Sequence, residues 1–253
     1  MQFIYGIHAV DSLLRTNPKS VQRLWLQQGR DDKRIASLLE LAQNQGVPTA
    51  REPRQNLDDM VDGRHQGAVA ETLDMPGGAD VPGGNLWDEA DLYRAVDAKQ
   101  GAVLLLILDG VTDPHNLGAC LRSADAAGVD AVIVPKDKSA DLNPTARKVA
   151  CGAAEVVPFV KVTNIARTLE ALKERGVWLY GTAGEAENTI YDSDLTGSVA
   201  LIMGAEGAGL RRLTREGCDH LVKLPMAGSV SSLNVSVATG VCLFEIVRQR
   251  VAN

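Results

Sequence analysis

The stretch VLLLILDGVTDPHNLGACLRSADAAG, residues 103–128, decides the fold class of this 253-residue chain. It opens with six consecutive apolar residues, Val103–Leu108, which have the length and composition of a strand buried on both faces. A polar turn and then a run of small and apolar residues follow, and we expect a helix that begins near Asn116. A buried strand followed at once by a helix is the unit from which parallel α/β sheets are built.

Further candidates for buried strands continue this pattern toward the carboxyl terminus: Ala131–Val134, Val156–Val160, Val177–Tyr180, Val199–Met203 and Leu221–Leu224. Helical stretches separate most of these strands, for example Asn164–Arg175, which ends at Gly176. The alternation predicts a mainly parallel sheet that is covered by helices on both faces. Ligands of such sheets bind beyond the carboxyl ends of the strands.

The amino-terminal part of the chain alternates in the same way. Ile7–Leu14 has helical spacing, Val21–Leu26 alternates as a strand, and two aspartates at 31 and 32 precede a helical pattern that ends at Gly46. Gly67–Leu73 has the composition of a closing strand. These elements predict a small α/β domain over residues 1–73.

A break in composition separates the two regions. Met75–Gly84 holds four glycines and two prolines in ten residues, which is typical of an exposed linker. The chain has a net charge of −6, and residues 73–100 carry six acidic against two basic side chains. Asp88–Ala98 has the pattern of a short helix that leads into the second domain. We therefore assign residues 74–100 to a linker and residues 101–253 to a second domain.

The composition excludes several classes of protein. Hydrophobic residues make up 45% and charged residues 23% of the chain, as in globular proteins with a core. No apolar run reaches the roughly 20 residues of a membrane span, and no signal peptide is evident, so we expect a cytoplasmic protein. The four cysteines form no C-x-x-C pair and the four histidines have no metal-ligand spacing. We expect reduced, buried thiols and no metal.

Two polar segments follow predicted strands. The first contains Asn116, which is either a helix cap or a ligand contact, and Arg122, whose small apolar neighbours favour a phosphate or ligand contact. The second, LIMGAEGAGL at residues 201–210, has glycines that allow close approach of a ligand to the backbone. Glu206 in this segment is either a partner of the helix dipole or a functional carboxylate.

A third segment, LPMAGSVSSLNVSVATG at residues 224–240, gathers several hydroxyls and one amide at a junction between a loop and a helix. Helix capping explains one or two of these groups but not all of them. Neither G-x-G-x-x-G nor a Walker motif is present, which argues against a nucleotide-binding oxidoreductase. The residues alone predict a polar, glycine-rich ligand site on an α/β sheet and leave the ligand open.

In this order, the three segments resemble the motifs of the SpoU or TrmH-type RNA ribose 2′-O-methyltransferases of the SPOUT superfamily, over Leu106–Arg250. Tyr5–Val10 and His65–Gly67 resemble the family's amino-terminal substrate-binding domain. The resemblance implies a parallel-sheet catalytic domain with a deep trefoil knot, preceded by an L30e-like RNA-binding domain. It also implies an obligate homodimer whose active site is built across the interface.

The resemblance further implies S-adenosylmethionine as the cofactor, bound by the residues at Gly204, Leu224, Leu233, Met226 and Thr182. The matching catalytic positions are Arg122, Asn116, Glu206, Ser232 and Asn234. The reaction is the in-line transfer of a methyl group to a ribose 2′-hydroxyl. Because a guanidinium keeps its proton, we expect Arg122 to position phosphate and hydroxyl groups rather than act as the base. Glu206 is then expected to order Arg122 or a neighbouring loop, while Ser232 and Asn234 place the ribose.

The resemblance implies a guanosine of 23S rRNA as the substrate, and the amino-terminal domain favours ribosomal RNA over tRNA. A loop is favoured over a duplex, because A-form duplexes hide their base edges. An acidic protein must concentrate its cations to bind RNA. The candidates are Arg15, Lys19, Arg23, Arg30, Lys33, Arg34, Arg64, Arg122, Arg147, Lys148, Arg211 and Arg212. Each of them is equally well explained as a solvated surface residue. Two alternatives stay open, a tRNA ribose methyltransferase and a non-catalytic RNA-binding factor of ribosome assembly.

Overall fold

A computed structural model describes residues 2–16, 18–61, 65–72, 86–205 and 207–252. The chain divides into two compact units, residues 1–84 and residues 85–253. The linker candidate Met75–Gly84, the RNA-contact candidate Arg64 and the catalytic candidate Glu206 lie outside the described residues.

The first unit is built on a four-stranded sheet. Its strands are β1 (Gln2–Tyr5), β2 (Val21–Gln27), β3 (Thr49–Glu52) and β4 (Ala68–Thr72), in the order β1-β4-β2-β3. β4 is antiparallel to β1 and β2, and β3 is parallel to β2. The helices are α1 (Ile7–Thr16), α2 (Lys33–Asn44) and α3 (Arg54–Met60). The predicted α/β pattern is confirmed, and β1, β3 and α3 are elements that the sequence analysis missed.

Local contacts explain how this unit is held together. The Asp32 carboxylate accepts hydrogen bonds from the backbone N–H groups of Arg34 and Ile35, which caps α2 at its first turn. The backbone N–H of Ile7 donates to Oε1 of Gln66 at 3.3 Å. That bond joins the segments Tyr5–Val10 and His65–Gly67, which the family resemblance had singled out separately.

The second unit is built on eight strands, and every neighbouring pair is parallel. They are β5 (Leu86–Trp87), β6 (Leu104–Asp109), β7 (Ala131–Pro135), β8 (Phe159–Val162), β9 (Trp178–Thr182), β10 (Asn188–Thr189), β11 (Val199–Gly204) and β12 (His220–Lys223). Their order is β10-β12-β9-β11-β6-β7-β8-β5. All six predicted strands are present. The one expected at Val156–Val160 begins only at Phe159, because a 3₁₀ turn occupies Ala153–Glu155.

Helices cover both faces of this sheet. They are α4 (Glu89–Ala98), α5 (Pro114–Ala126), α6 (Pro144–Ala150), α7 (Ile165–Lys173), α8 (Arg212–Gly217) and α9 (Val235–Val251). Successive residues of a strand point to opposite faces. Leu106 and Leu201 therefore pack with α5, α6 and α9, whereas Leu105 and Ile202 pack with α4 and α7. The mainly parallel sheet with two helical layers is as predicted.

Two boundaries differ from the sequence analysis. α5 begins at Pro114 and not near Asn116. The Asp113 carboxylate caps it by accepting a hydrogen bond from the His115 backbone N–H, and a proline at the first helical position favours helix initiation there. Asn116 therefore lies inside the helix and is not its cap. Residues 86–98, which we assigned to the linker, form β5 and α4, and β5 pairs with β8.

The cysteines are free thiols, but they are not all buried as expected. Cys120 and Cys242 are buried and Cys218 is half-buried, whereas Cys151 is exposed. The expectation of buried thiols is therefore wrong for Cys151, which follows the last residue of α6.

Across the described ranges, none of the helices is long and apolar enough to cross a membrane.

Candidate active site

A cavity of about 620 Å³ lies at the carboxyl ends of β9, β11 and β12, which is where parallel sheets bind their ligands. Its wall contains all five residues to which the resemblance assigns the cofactor: Thr182, Gly204, Leu224, Met226 and Leu233. Ser232 and Asn234 also line the cavity. The structure therefore gathers residues from the second and third motif segments around one space.

The glycine loop, which we define as Gly204, Ala205 and Gly207–Leu210, forms one side of this cavity. Ala205 and Gly209 exchange two backbone hydrogen bonds of 3.0 and 2.9 Å. A Cβ atom added to Gly204 would lie 2.2 Å from the carbonyl carbon of Gly209, closer than atoms can approach. Glycine is thus required at 204 by the loop's own backbone, which folds back onto the end of β11.

Thr182 contributes to the wall without a free hydroxyl proton. Its Oγ1 donates to the carbonyl oxygen of Ile202 at 3.1 Å and lies 3.6 Å from the sulfur of Met203. The hydroxyl therefore connects β9 to β11 beneath the cavity.

Cys242 of α9 also lines the cavity, and burial raises the pKa of its thiol to about 12. This thiol is neutral near pH 7 and adds an apolar surface.

The serine loop, which we define as residues 225–234, forms the opposite side. Its last residue, Asn234, caps α9: the side-chain Oδ1 accepts hydrogen bonds from the Ser236 N–H at 2.9 Å and from the Ser236 hydroxyl at 2.6 Å. Nδ2 of Asn234 donates to Oδ1 of Asn116 at 3.0 Å. The third motif segment is thereby joined to the first, and Ser232 lies exposed at the cavity.

Asn116 and Arg122 of the first segment are not in the cavity wall of one chain. Asn116 is buried and reaches the wall through Asn234. Arg122 is exposed on α5, and its Nη1 donates to the sulfur of Cys151 at 3.7 Å. The structure thus brings three of the five proposed catalytic positions together, namely Asn116, Ser232 and Asn234. Arg122 is not part of this group, and the fifth position, Glu206, is not described.

One residue of this region was missed by the sequence analysis. Asp109, at the end of β6, is fully buried, and its Oδ2 accepts a hydrogen bond from the Arg211 backbone N–H at 3.0 Å. Nε of Arg211 lies 3.5 Å from Oδ1 of the same carboxylate. A carboxylate placed directly after a six-residue apolar strand was the available signal, because buried charges are almost always paired.

The predicted RNA-contact cations differ in their surroundings. Several form ion pairs with neighbouring carboxylates, namely Arg15 with Asp11, Arg30 with Asp32, Arg147 with Glu155 and Arg212 with Glu216. Arg23 stacks over the ring of Trp25 at 5.1 Å. Lys19, Lys33, Arg34 and Lys148 are exposed and make no ion pair with any residue that the structure describes. Within that same part of the chain, no group of three or more His, Cys, Asp or Glu side chains is arranged to hold a metal ion.

Comparison with protein families agrees with this arrangement. The model of the SpoU rRNA methylase family matches residues 103–244, and the model for RNA 2′-O ribose methyltransferase substrate binding matches residues 3–73. The chain belongs to the SpoU rRNA methylase family. The family resemblance drawn from the three motif segments is thereby confirmed.

Two relatives in the SpoU family are similar over almost their whole length. The 23S rRNA (guanosine-2′-O-)-methyltransferase RlmB of Pseudomonas aeruginosa is 62% identical over 247 residues, which cover 98% of this chain and 96% of that protein. The enzyme of the same name from Escherichia coli K12 is 58% identical over 250 residues, covering 98% and 99%. The crystal structure of the SpoU methyltransferase AviRb from Streptomyces viridochromogenes, in complex with the cofactor AdoMet, has a TM-score of 0.71 at 27% identity and covers 99% of this chain and 91% of that one.

Proposed function

We propose that this protein transfers the methyl group of S-adenosylmethionine to the ribose 2′-hydroxyl of a guanosine in 23S rRNA. The observation that carries the proposal is the bond from Asn234 to Asn116, which joins the third motif segment to the first at a cavity that the second segment also lines. The relatives named for this reaction match both units of the chain. An rRNA substrate places the reaction in the cytoplasm.

The cavity wall fits the proposed cofactor. Its volume of about 620 Å³ accommodates a molecule of this size, since small-molecule sites usually span roughly 300–1,000 Å³. Leu224, Met226 and Leu233 supply apolar surface, and the glycine loop brings backbone to the cavity wall. When bound, S-adenosylmethionine supplies an electrophilic methyl group.

The residues of the chain supply binding and orientation. Arg122 keeps its proton, so it donates hydrogen bonds to a phosphate or to the ribose hydroxyl and does not accept the hydroxyl proton. Ser232 and Asn234, at the cavity, place the ribose. Holding the hydroxyl oxygen in line with the methyl group contributes roughly 7–11 kcal/mol to lowering the barrier in well-oriented systems. The position of Glu206 in the family motif assigns it the ordering of Arg122 or of a neighbouring loop.

A homodimer is part of the proposal. Val237, Val241 and Phe244 form an apolar stripe along α9, and their exposed fractions are 52%, 38% and 50%. An exposed apolar stripe of this kind marks an interaction site, and a symmetric second copy is the commonest partner. The family resemblance builds the active site across such an interface. Arg122, which is exposed and outside the cavity wall of its own chain, is then assigned to the site of the second copy. The trefoil knot that the family implies belongs to the same proposal.

The free cations suggest where RNA binds. Lys19, Lys33, Arg34 and Lys148 are exposed and lack ion pairs within the described ranges, so they can contact phosphates without first breaking an ion pair. RNA affinity should then fall steeply with salt, in proportion to the phosphates that are neutralised. An affinity that does not change with salt would contradict these phosphate contacts.

Transfer of labelled methyl from S-adenosylmethionine tests the function. The acceptors are 23S rRNA and bulk tRNA, both from a strain that lacks the endogenous enzyme, with Asn234→Ala as a control of reduced activity. We expect label at one guanosine of 23S rRNA, in a linkage resistant to alkali. Label in tRNA alone would make the protein a tRNA methyltransferase. Cofactor binding without label in naked or ribosomal RNA would favour the non-catalytic assembly factor.

A further inference from the structure

Asp109 and Arg211 form a contact that the proposed reaction does not use. The Asp109 carboxylate is fully buried at the end of β6, and 102 residues separate it from Arg211 in the sequence. It accepts the Arg211 backbone N–H at 3.0 Å and lies 3.5 Å from the guanidinium Nε. A buried carboxylate is stable only when it is paired, so the contact fixes the position of Arg211.

The contact lies at the base of the glycine loop. Arg211 directly follows the last residue of that loop and precedes α8, so its backbone is where the loop ends. The backbone of Gly110, which has a φ of +91°, lies beneath the same loop: a Cβ atom added there would be 3.5 Å from the Ala205 Cβ and 3.5 Å from Nη2 of Arg211. The end of β6 therefore meets both ends of the glycine loop, since Gly204 pairs with Asp109 in the sheet and Arg211 donates its N–H to Asp109.

The Arg211 side chain also reaches the loop that follows β7. Its Nη2 donates to the carbonyl oxygen of Lys138 at 3.5 Å, and the side chain is 43% exposed. Arg211 thus connects the segments that follow β6, β7 and β11 at the carboxyl edge of the sheet. A guanidinium is suited to this because its planar fork donates in several directions at once.

We infer that Arg211, held by Asp109, is a positioning residue for the cofactor loop and not an RNA contact. The inference rests on the proposed function, since the glycine loop lines the cavity assigned to S-adenosylmethionine. It reverses the expectation from sequence, which grouped Arg211 with Arg212 as RNA-binding cations. The two neighbours differ in structure, because the carboxylate that Arg212 pairs with among the described residues is Glu216, on the next turn of α8.

This difference supplies a matched control. Arg211→Ala and Arg212→Ala each remove one positive charge at adjacent positions, so a general effect of charge on RNA binding is the same for both. We expect Arg211→Ala to weaken S-adenosylmethionine binding about tenfold, equivalent to about 1.4 kcal/mol. Its affinity for 23S rRNA and the salt dependence of that affinity should match the wild type. Arg212→Ala should bind the cofactor as the wild type does.

A second variant separates positioning from general destabilisation. Asp109→Asn keeps an oxygen that accepts the Arg211 N–H but removes the charge that pairs with the guanidinium. Asp109→Asn and Arg211→Ala break the same contact between Asp109 and Arg211. Asp109→Asn should therefore weaken cofactor binding by a similar factor, and the double variant should bind the cofactor no more weakly than either single variant. Dissociation constants come from titration calorimetry without RNA, and thermal unfolding identifies any variant that does not fold.

The outcomes distinguish this inference from the function on which it rests. Wild-type protein that does not bind S-adenosylmethionine would refute the proposed function and the inference together. Wild-type binding with an unchanged dissociation constant in Arg211→Ala would refute only the inference. The inference alone would also be refuted if Arg211→Ala lowers RNA affinity and the salt dependence of that affinity while cofactor binding is unchanged. Arg211 would then be an RNA contact.

Discussion

The glycine loop and the serine loop face each other across one cavity, but they are held in different ways. The glycine loop is closed by two backbone hydrogen bonds between Ala205 and Gly209 and is supported at its end by the buried Asp109 carboxylate. In the serine loop, residues 227–234 are exposed, and the loop is fastened at its carboxyl end through Asn234. The glycine loop is held by backbone hydrogen bonds, whereas the serine loop is held through side chains that include the amides of Asn234 and Asn116.

This difference indicates a division of roles. A loop whose shape is set by backbone contacts presents the same N–H and C=O groups at all times, which suits a bound cofactor. A loop with exposed serines can adjust to an RNA ribose and still keep Asn234 in place through α9. Substitutions in the glycine loop should therefore change cofactor binding most, and substitutions at Asn234 should change turnover.

The largest effect is expected for Gly204→Ala. The added Cβ would lie 2.2 Å from a backbone carbon of Gly209, which cannot move without opening the loop. Because overpacking costs about 1–3 kcal/mol, we expect cofactor affinity, measured by calorimetry, to fall by about five- to 150-fold. Gly184→Ala is the control: Gly184 also lines the cavity, but no atom lies within 4 Å of its added Cβ. Equal affinity in the two variants would contradict the rigid role of the glycine loop.

An intermediate effect is expected at the pair Asn116 and Asn234. If their 3.0 Å hydrogen bond holds the serine loop, Asn116→Ala and Asn234→Ala should each lower kcat/KM, and the double variant should lower it by less than the product. A coupling energy of about 1 kcal/mol is typical of one neutral hydrogen bond. A complete double-mutant cycle measures it. Independent, fully additive effects would show that the bond does not join the two motif segments in catalysis.

The smallest effect concerns the thiols. Burial raises the pKa of Cys242 and of Cys218 to about 12, so both remain protonated between pH 7 and 9, where a maleimide needs the thiolate. Exposed Cys151 should be labelled first, and Cys242 should resist labelling until the pH approaches its raised pKa. Mass spectrometry of timed digests measures each site. Rapid labelling of Cys242 at pH 8 would mean that the serine loop opens far more often than its contact with Asn116 suggests.

Much of the fold could be predicted from the sequence because each central strand can be recognised from its own composition. Val103–Leu108 and Val199–Met203 are continuous apolar runs, and a strand buried on both faces needs that composition wherever its neighbours lie. The predicted starts of two elements, α5 and β8, were wrong because local interactions set them. Asp113 and Pro114 start α5 ahead of Asn116, and a 3₁₀ turn delays β8.

The candidate site could be predicted only in part. The residues alone predicted a polar, glycine-rich ligand site, and the family resemblance singled out Asn116, Arg122, Ser232 and Asn234 within it. The pairing of those residues was not visible, and Asp109 was missed altogether. A contact such as Asp109 with Arg211 joins positions 102 residues apart, and no periodicity or spacing records which distant residue meets a buried carboxylate.

The sequence by itself determined the α/β class, the parallel sheet, the family and the positions of its motifs, because these depend on local composition and order. Tertiary structure alone decided which side chains share a cavity and which are bound elsewhere. It placed Arg211 on a buried carboxylate while Arg212 pairs at the surface, although the two are adjacent and identical in chemistry. The reason is that burial and pairing depend on the neighbours that the fold supplies, and not on the residue type.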